Sequence, residues 1–347
     1  MTHAPELPAD VPDGWTTTVP GSHDLPELVA LLAAHQRVAN GSSSVDEDSV
    51  ATNVVGPGSW TRRQVVVRDG AGDLAAWATV YDRASGRTVV EVTVRPDRGD
   101  DEVVDTLAAS LFSWAYGQAC EVARTRGIRQ TQLDSGAYSR DERQRRWLAN
   151  AGYDRTRTWW QMSRPVTAAD HGLPGPREGV TVRPVARHDD GLPVAADLQT
   201  VHQVLEESFA DHFNSYRESF PEFVQRLRED PGHRWDHWWL AEVELDGEVL
   251  PGGALVGSVL PPEASGVAGS YIDYIGVHRR SRGRGVAKAL LHTVIRDALE
   301  RGRNRVGLEV DADSPTGAEG LYTSMGWVTS YTTESWHRDV DFDSDVQ

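Results

Sequence analysis

Val277-His278-Arg279-Arg280-Ser281-Arg282-Gly283-Arg284-Gly285-Val286-Ala287-Lys288 sets four arginines and two glycines inside a chain whose net charge is −17. Glycines allow backbone N–H groups to approach a ligand closely, and arginines present forked donors that match phosphate. A helix that starts here would add its unpaired N–H groups and the positive end of its dipole. The stretch reads as an anion cradle, and a pyrophosphate suits it.

The flanks agree with that reading. Downstream, Val286, Ala287, Leu290, Leu291, Val294, Ile295, Ala298 and Leu299 recur in pairs every four residues, and Arg301-Gly302 gives a cationic last turn with a glycine stop. Upstream, residues 270–277 are aromatic and β-branched, as in a strand. A dinucleotide-binding turn has the same order of parts. It fits less well, because its third glycine would fall at Lys288 and only about two short elements follow, too few for a doubly wound sheet.

Arg282-Gly283-Arg284-Gly285-Val286-Ala287 resembles the Arg/Gln-x-x-Gly-x-Gly/Ala acyl-CoA pyrophosphate loop of the GCN5-related N-acetyltransferases, with Val277 ending the preceding strand five residues upstream. An overlapping match begins at Arg280, so two registers stay open.

At 347 residues the chain has length for roughly two domains. Its acidity, with a pI near 5.1, argues against a nucleic-acid or anionic-membrane partner, since such proteins show a basic face. Cys120 is the single cysteine and lies in an apolar helical stretch, which suits a small buried side chain and a reducing cytoplasm. The N-terminal residues 1–14 lack the apolar core of a secretion signal, and no stretch approaches a membrane span.

The chain repeats itself. Trp147-Leu148-Ala149-Asn150-Ala151-Gly152-Tyr153 and Leu321-Tyr322-Thr323-Ser324-Met325-Gly326-Trp327 each read as a short helix, a glycine stop and an aromatic-rich strand. Upstream of each lies an Arg-Gly and a strand (130–133 and 306–310), and further upstream a strand followed by a long apolar helix (90–94 with 103–123, and 270–277 with 286–299). A Pro- and Gly-rich stretch at 167–179 suits a linker between a first domain, 1–166, and a second, 180–347. In the second domain, 198–213 and 220–228 read as helices and 180–184, 238–244 and 254–260 as strands. In the first, 25–39 reads as a helix and 64–67, 75–81 and 88–94 as strands. The acidic tail from 339 to 347 reads as frayed.

Across both halves the order resembles tandem N-acetyltransferases of the mycothiol-synthase type. The resemblance implies an α/β (α+β) fold of two tandem domains, each a mixed, mainly antiparallel twisted sheet flanked by helices. It implies a soluble, cytoplasmic enzyme that takes acetyl-CoA as co-substrate and acetylates a small amine by direct attack, with no metal. The pantetheine arm would enter between the strands at 270–277 and 305–310 and pair with backbone groups of Ile275 and Val277. Arg282, Gly283, Arg284, Gly285, Val286 and Ala287, with Ser314, would complete the coenzyme site.

Tyr322, eight residues beyond Ser314, matches the tyrosine that protonates the departing thiolate in the family, and its bland alternative is a ring packed in the core. Many relatives carry a glutamate eleven positions before the first arginine of the loop, where this chain has Tyr271. Others place a histidine there or two residues later, at Asp273, which strand alternation puts on the same face as Tyr271. Asp273 is the candidate base, acting through water, and a hydrogen-bonded structural carboxylate is the alternative.

Trp235, Trp238 and Trp239 read as core. Glu206 to Phe213 falls where the fold shapes its acceptor site, and its carboxylates would favour a cationic amine. His212, His233 and His237 lack a zinc spacing. In the first domain the loop position carries Asp100, Asp101 and Glu102, which would repel a pyrophosphate, and Leu148 stands at the position of Tyr322. That domain reads as a degenerate copy. Two functions of different class follow: an N-acetyltransferase, with a mycothiol synthase as its sharper form, or a non-catalytic acyl-CoA-binding protein.

Overall fold

The computed structural model describes residues 8, 10–83, 87–97, 101–209, 218–263, 265–314 and 317–341. In chain order the first half forms β1 (Thr16–Thr18), α1 (Leu25–Asn40), α2 (Glu47–Val54), β2 (Arg62–Arg68), β3 (Leu74–Arg83), β4 (Arg87–Val94), α3 (Asp101–Arg126), β5 (Gln130–Tyr138), α4 (Glu142–Asn150) and β6 (Asp154–Pro165). The second half forms β7 (Val180–Pro184), α5 (Ala195–Ser208), α6 (Phe220–Arg228), β8 (His233–Leu245), β9 (Glu248–Leu260), β10 (Gly269–Val277), α7 (Val286–Glu300), β11 (Arg305–Asp311), α8 (Ala318–Ser324) and β12 (Val328–Asp341). The fold is the mixed α/β class expected from the sequence.

The chain divides into two compact units: Met1–Trp159, Asp311–Asp313 and Tyr331–Gln347 form unit 1, and Trp160–Val310 with Ser314–Ser330 form unit 2. Unit 1 has the strand order β1-β2-β3-β4-β5-β12. Its core is built because α3 repeats apolar residues at Val104, Leu107, Ala108, Leu111, Ala115 and Ala119, a helical stripe that packs on Val90, Val92 and Leu133 of the sheet. Cys120 is buried on the same helix.

In unit 2, β7 to β10 form an antiparallel run, β11 joins β10 in parallel, and residues 160–165 of β6 lie beside β11. One face packs on α7 through Leu255, Ile272, Leu290, Val294 and Leu308. The other packs on α5 and α6 through Val201, Leu205, Phe223, Trp238 and Val256.

Two boundaries differ from the sequence reading. The helix expected over 198–213 runs from Ala195 to Ser208, and residues 210–217 lie outside the described ones. The acidic tail is ordered as far as Asp341: Asp339, Val340 and Asp341 pair with Gln132, Thr131 and Gln130 of β5. The side-chain amides of Gln130 and Gln132 donate to Asp341 and Asp339 at 3.0 and 3.1 Å, and Val340 is buried, so these carboxylates have partners that composition does not reveal. Residues 342–347 lie outside the described ones.

Candidate active site

The site is built around a branch point in the sheet of unit 2. The parallel ladder between β10 and β11 pairs Ser270, Tyr271 and Ile272 with Val306, Gly307 and Leu308, and among the described residues it ends there although both strands continue. On its other edge β10 carries a bulge, since Ile272 lies opposite Gly257 and Tyr274 opposite Val256, leaving Asp273 as the extra residue. A bulge bends its strand and increases its twist, which carries the stretch 273–277 away from β11. The related strand of unit 1 also keeps a short parallel ladder, Arg87–Val89 on 132–134, but β3 and β4 pair from Ala76/Val94 to Arg83/Arg87 with no bulge.

β10 ends at Val277 and feeds the basic loop. Gly283 and Gly285 have φ of +79° and +84°, the left-handed region that a side chain disfavours, and Gly285 starts α7 without a side-chain cap. The first turn of α7 holds no acidic residue, so its N–H groups and dipole are open to an anion. Arg279, Arg280, Arg282, Arg284 and Lys288 are exposed, and among the described residues none of them is ion-paired to a carboxylate. Arg177 also reaches this loop, a contact that the sequence reading missed: its Nη1 donates to the Gly283 carbonyl at 3.5 Å.

Asp273, half-buried, accepts a hydrogen bond from the Ser258 hydroxyl at 3.3 Å. Ser258 is the cross-strand partner of Tyr271, which puts Asp273 and Tyr271 on one face, as alternation alone suggested. Burial, then the negative charge of Asp230, pushes the Asp273 carboxyl up to about 7, against the Ser258 hydrogen bond and the positive charge of Arg226. Arg226 is itself held by Glu218 through bonds of 2.8 and 2.7 Å. The Tyr271 ring lies over β11 at the last rungs of the ladder, where a Cβ on Gly307 would come within 3.1 Å of it.

Tyr322, on α8, is buried in the same cluster as Ile272 and Leu308 and meets Trp327 edge-on at 6.0 Å. Burial pushes its phenol up to about 12, so it holds its proton at neutral pH. Ser314 follows β11 and belongs to unit 2.

Glu207 pairs with His278 at 3.0 Å on the wall of a cavity of about 290 Å³ beside the loop. Trp238 and Trp239 are buried in the core and Trp235 packs on Trp238 at 5.3 Å. Burial lowers His233 to about 4, so its ring is neutral at neutral pH. His212 lies outside the described residues, and among those described no group of His, Cys, Asp and Glu is placed to hold a metal ion. In unit 1, Leu148 is fully buried in the core and Glu102 is exposed at the start of α3, while Asp100 and the side chain of Asp101 lie outside the described residues.

The sequence model of the Acetyltransferase (GNAT) family matches residues 201–327, a span that holds the bulge, the basic loop and Tyr322. The chain belongs to the GCN5-related N-acetyltransferases. A mycothiol acetyltransferase from Arthrobacter sp. strain FB24 is 27% identical over 277 residues, which is 78% of this chain and 74% of that protein. The crystal structure of a GCN5-related N-acetyltransferase from Sphaerobacter thermophilus superposes with a TM-score of 0.73 at 25% identity, covering 95% of this chain and 97% of that one. A tandem GNAT protein from the clavulanic acid biosynthesis pathway shares the fold, with a TM-score of 0.65 at 14% identity over 94% of this chain and 98% of its own. The chain is thus a tandem N-acetyltransferase of this family, dependent on acetyl-CoA. Among the described residues no helix is long and apolar enough to cross a membrane.

Proposed function

We propose that unit 2 acetylates the amine of a small molecule by direct attack on acetyl-CoA in a ternary complex, and that unit 1 binds no coenzyme. The observation that supports this best is the branch of β10 from β11 at Ile272 and Leu308, which opens the strand at 273–277 directly upstream of the basic loop. Backbone groups of Ile275 and Val277 hold the pantetheine arm. Arg282, Gly283, Arg284, Gly285, Val286 and Ala287, together with Ser314, hold the phosphates.

In the reaction the amine nitrogen bonds to the thioester carbonyl carbon and the C–S bond breaks. Asp273 accepts the proton of the amine through a water, a task suited to a carboxyl that titrates near 7. Tyr322 donates its proton to the departing sulfur, and it can do so because burial keeps the phenol protonated until the thiolate forms. Tyr271 borders the reacting centre.

A mycothiol acetyltransferase activity is the sharper reading, favoured by the names of the curated relatives. Tyr271 at the position of their family's glutamate weighs against it.

A panel of amines, including the amine substrate of mycothiol acetyltransferases, tests the reading when assayed for free thiol release from acetyl-CoA alongside equilibrium binding. The expected result is tight binding with turnover on at least one amine. Binding without turnover across the panel would make the chain an acyl-CoA-binding protein, and absence of binding would remove the loop assignment.

A further inference from the structure

Residues 167–179 read in the sequence as a loose connector, yet in the structure they are fastened. Asp170 accepts two bonds from Arg164, at 3.2 and 2.5 Å, and caps the turn Ala168–Gly172 from the Thr167 N–H at 2.8 Å. Further on, Arg296 of α7 donates to the carbonyls of Leu173 and Pro174 at 3.2 and 3.3 Å, and His292 Nδ1 meets the Pro174 carbonyl at 3.1 Å. On the far side, the Arg177 carbonyl accepts from Val180 N–H at 3.0 Å, where β7 begins. The segment is a strap tied to α7 behind Arg177 and to the sheet in front of it.

The strap delivers one cation to the loop. The Arg177 side chain fills the space beside Gly285, with its Cδ and Nε 3.0 and 3.1 Å from where a Cβ on residue 285 would stand. Its Nη1 reaches the Gly283 carbonyl at a long 3.5 Å, and among the described residues no carboxylate neutralises it. A guanidinium placed beside Arg282 and Arg284 without a counter-charge is repelled by them. A multiply charged anion in the cradle removes that repulsion and supplies a stronger acceptor than the Gly283 carbonyl.

We infer that Arg177 is a further coenzyme ligand, a phosphate-binding arginine brought to the loop by the strap. The inference rests on the loop being the coenzyme site. The bare Cα of Gly285 then has two uses: it permits the left-handed turn, and it leaves room for the arginine.

Titration calorimetry on the full chain decides it, with acetyl-CoA, acetyl-3′-dephospho-CoA and S-acetylpantetheine as probes. Arg177→Ala should lose affinity for acetyl-CoA on the order of tenfold or more, with S-acetylpantetheine binding unchanged because it carries no phosphate. Arg177→Lys, which keeps the charge and loses the fork, should fall between. A loss that persists with the dephospho form assigns the pyrophosphate, and one confined to acetyl-CoA assigns the 3′-phosphate. Unchanged acetyl-CoA affinity in Arg177→Ala, or an equal loss with S-acetylpantetheine, overturns the inference. Failure of the unmodified chain to bind acetyl-CoA would instead count against the coenzyme site as a whole.

Discussion

The Ser258 hydroxyl reaches from β9 to the Asp273 carboxylate, donating at 3.3 Å to the residue that β10 carries as its bulge. Burial and Asp230 raise this carboxyl to about 7 while Ser258 pulls it down. The kcat/KM of the unmodified chain should therefore climb with pH through about 7 on its acidic side. Asp273→Asn should lose that limb and fall by roughly 10²–10⁴. Ser258→Ala removes a bond that favours the ionised form, so it should carry the limb to higher pH. A pH–rate series on the three proteins checks this, and a limb that stays in place in Asp273→Asn would return Asp273 to a structural role.

Stability should respond to the same carboxyl with the opposite sign from an ion-paired aspartate. The folded state holds this proton up to about 7, whereas an unfolded aspartate releases it near 3.9. Between those values the folded chain binds more protons, so its stability falls as pH rises through the window. Asp273→Asn should melt above its parent at pH 8, with a lead that narrows toward pH 4. A lead that widens in acid would show that the fold favours the charged carboxylate.

Tyr322→Phe keeps the ring that meets Trp327 and removes only the phenol. The fold and the affinity for acetyl-CoA should stay nearly unchanged while kcat drops by on the order of a hundredfold, because the proton is needed only as the thiolate leaves. Parallel binding and turnover measurements separate the two. A loss of affinity equal to the loss of rate would make Tyr322 a packing residue.

Coenzyme should bind at one equivalent per chain. Unit 2 offers Gly283 and Gly285 in left-handed turns with unneutralised arginines around them, whereas the first turn of α3 exposes Glu102 and unit 1 buries Leu148 where unit 2 has Tyr322. Gly285→Asp places a carboxylate in the cradle and should abolish that equivalent. A titration that saturates at two, or a Gly285→Asp variant that still binds, contradicts this assignment.

The parts of the site that lie close together in sequence were the legible ones. Strand 270–277, the loop and α7 follow one another, and the pairs of apolar residues from Val286 to Leu299 fix the helix by their period alone. The bulge left a trace that was passed over: Tyr271-Ile272-Asp273-Tyr274-Ile275 repeats every three residues, which a regular strand cannot accommodate with both isoleucines on one face. Arg177 left none, since it meets Gly283 across 106 residues of chain. The helix α2 was hidden because Val50 and Val54 are its only buried side chains, and β1 because it spans three residues. The order of β12 beside β5 follows from long-range pairing, and its alternating pattern would fit another strand edge equally well.

That last pairing bears on how the protein is made. β5 receives its partner from residues 333–341, and Gln130 waits 211 residues for Asp341. At roughly 5–20 residues per second a ribosome supplies that strand on the order of ten seconds or more after β5 has emerged. For that interval the nascent amino-terminal unit carries an open strand edge, the kind of surface that invites pairing with another chain. Trp336 and Val340, which belong to its core, are still unmade. A truncation after Ser330 would spare Asp273 and Tyr322 and injure the opposite end of the chain.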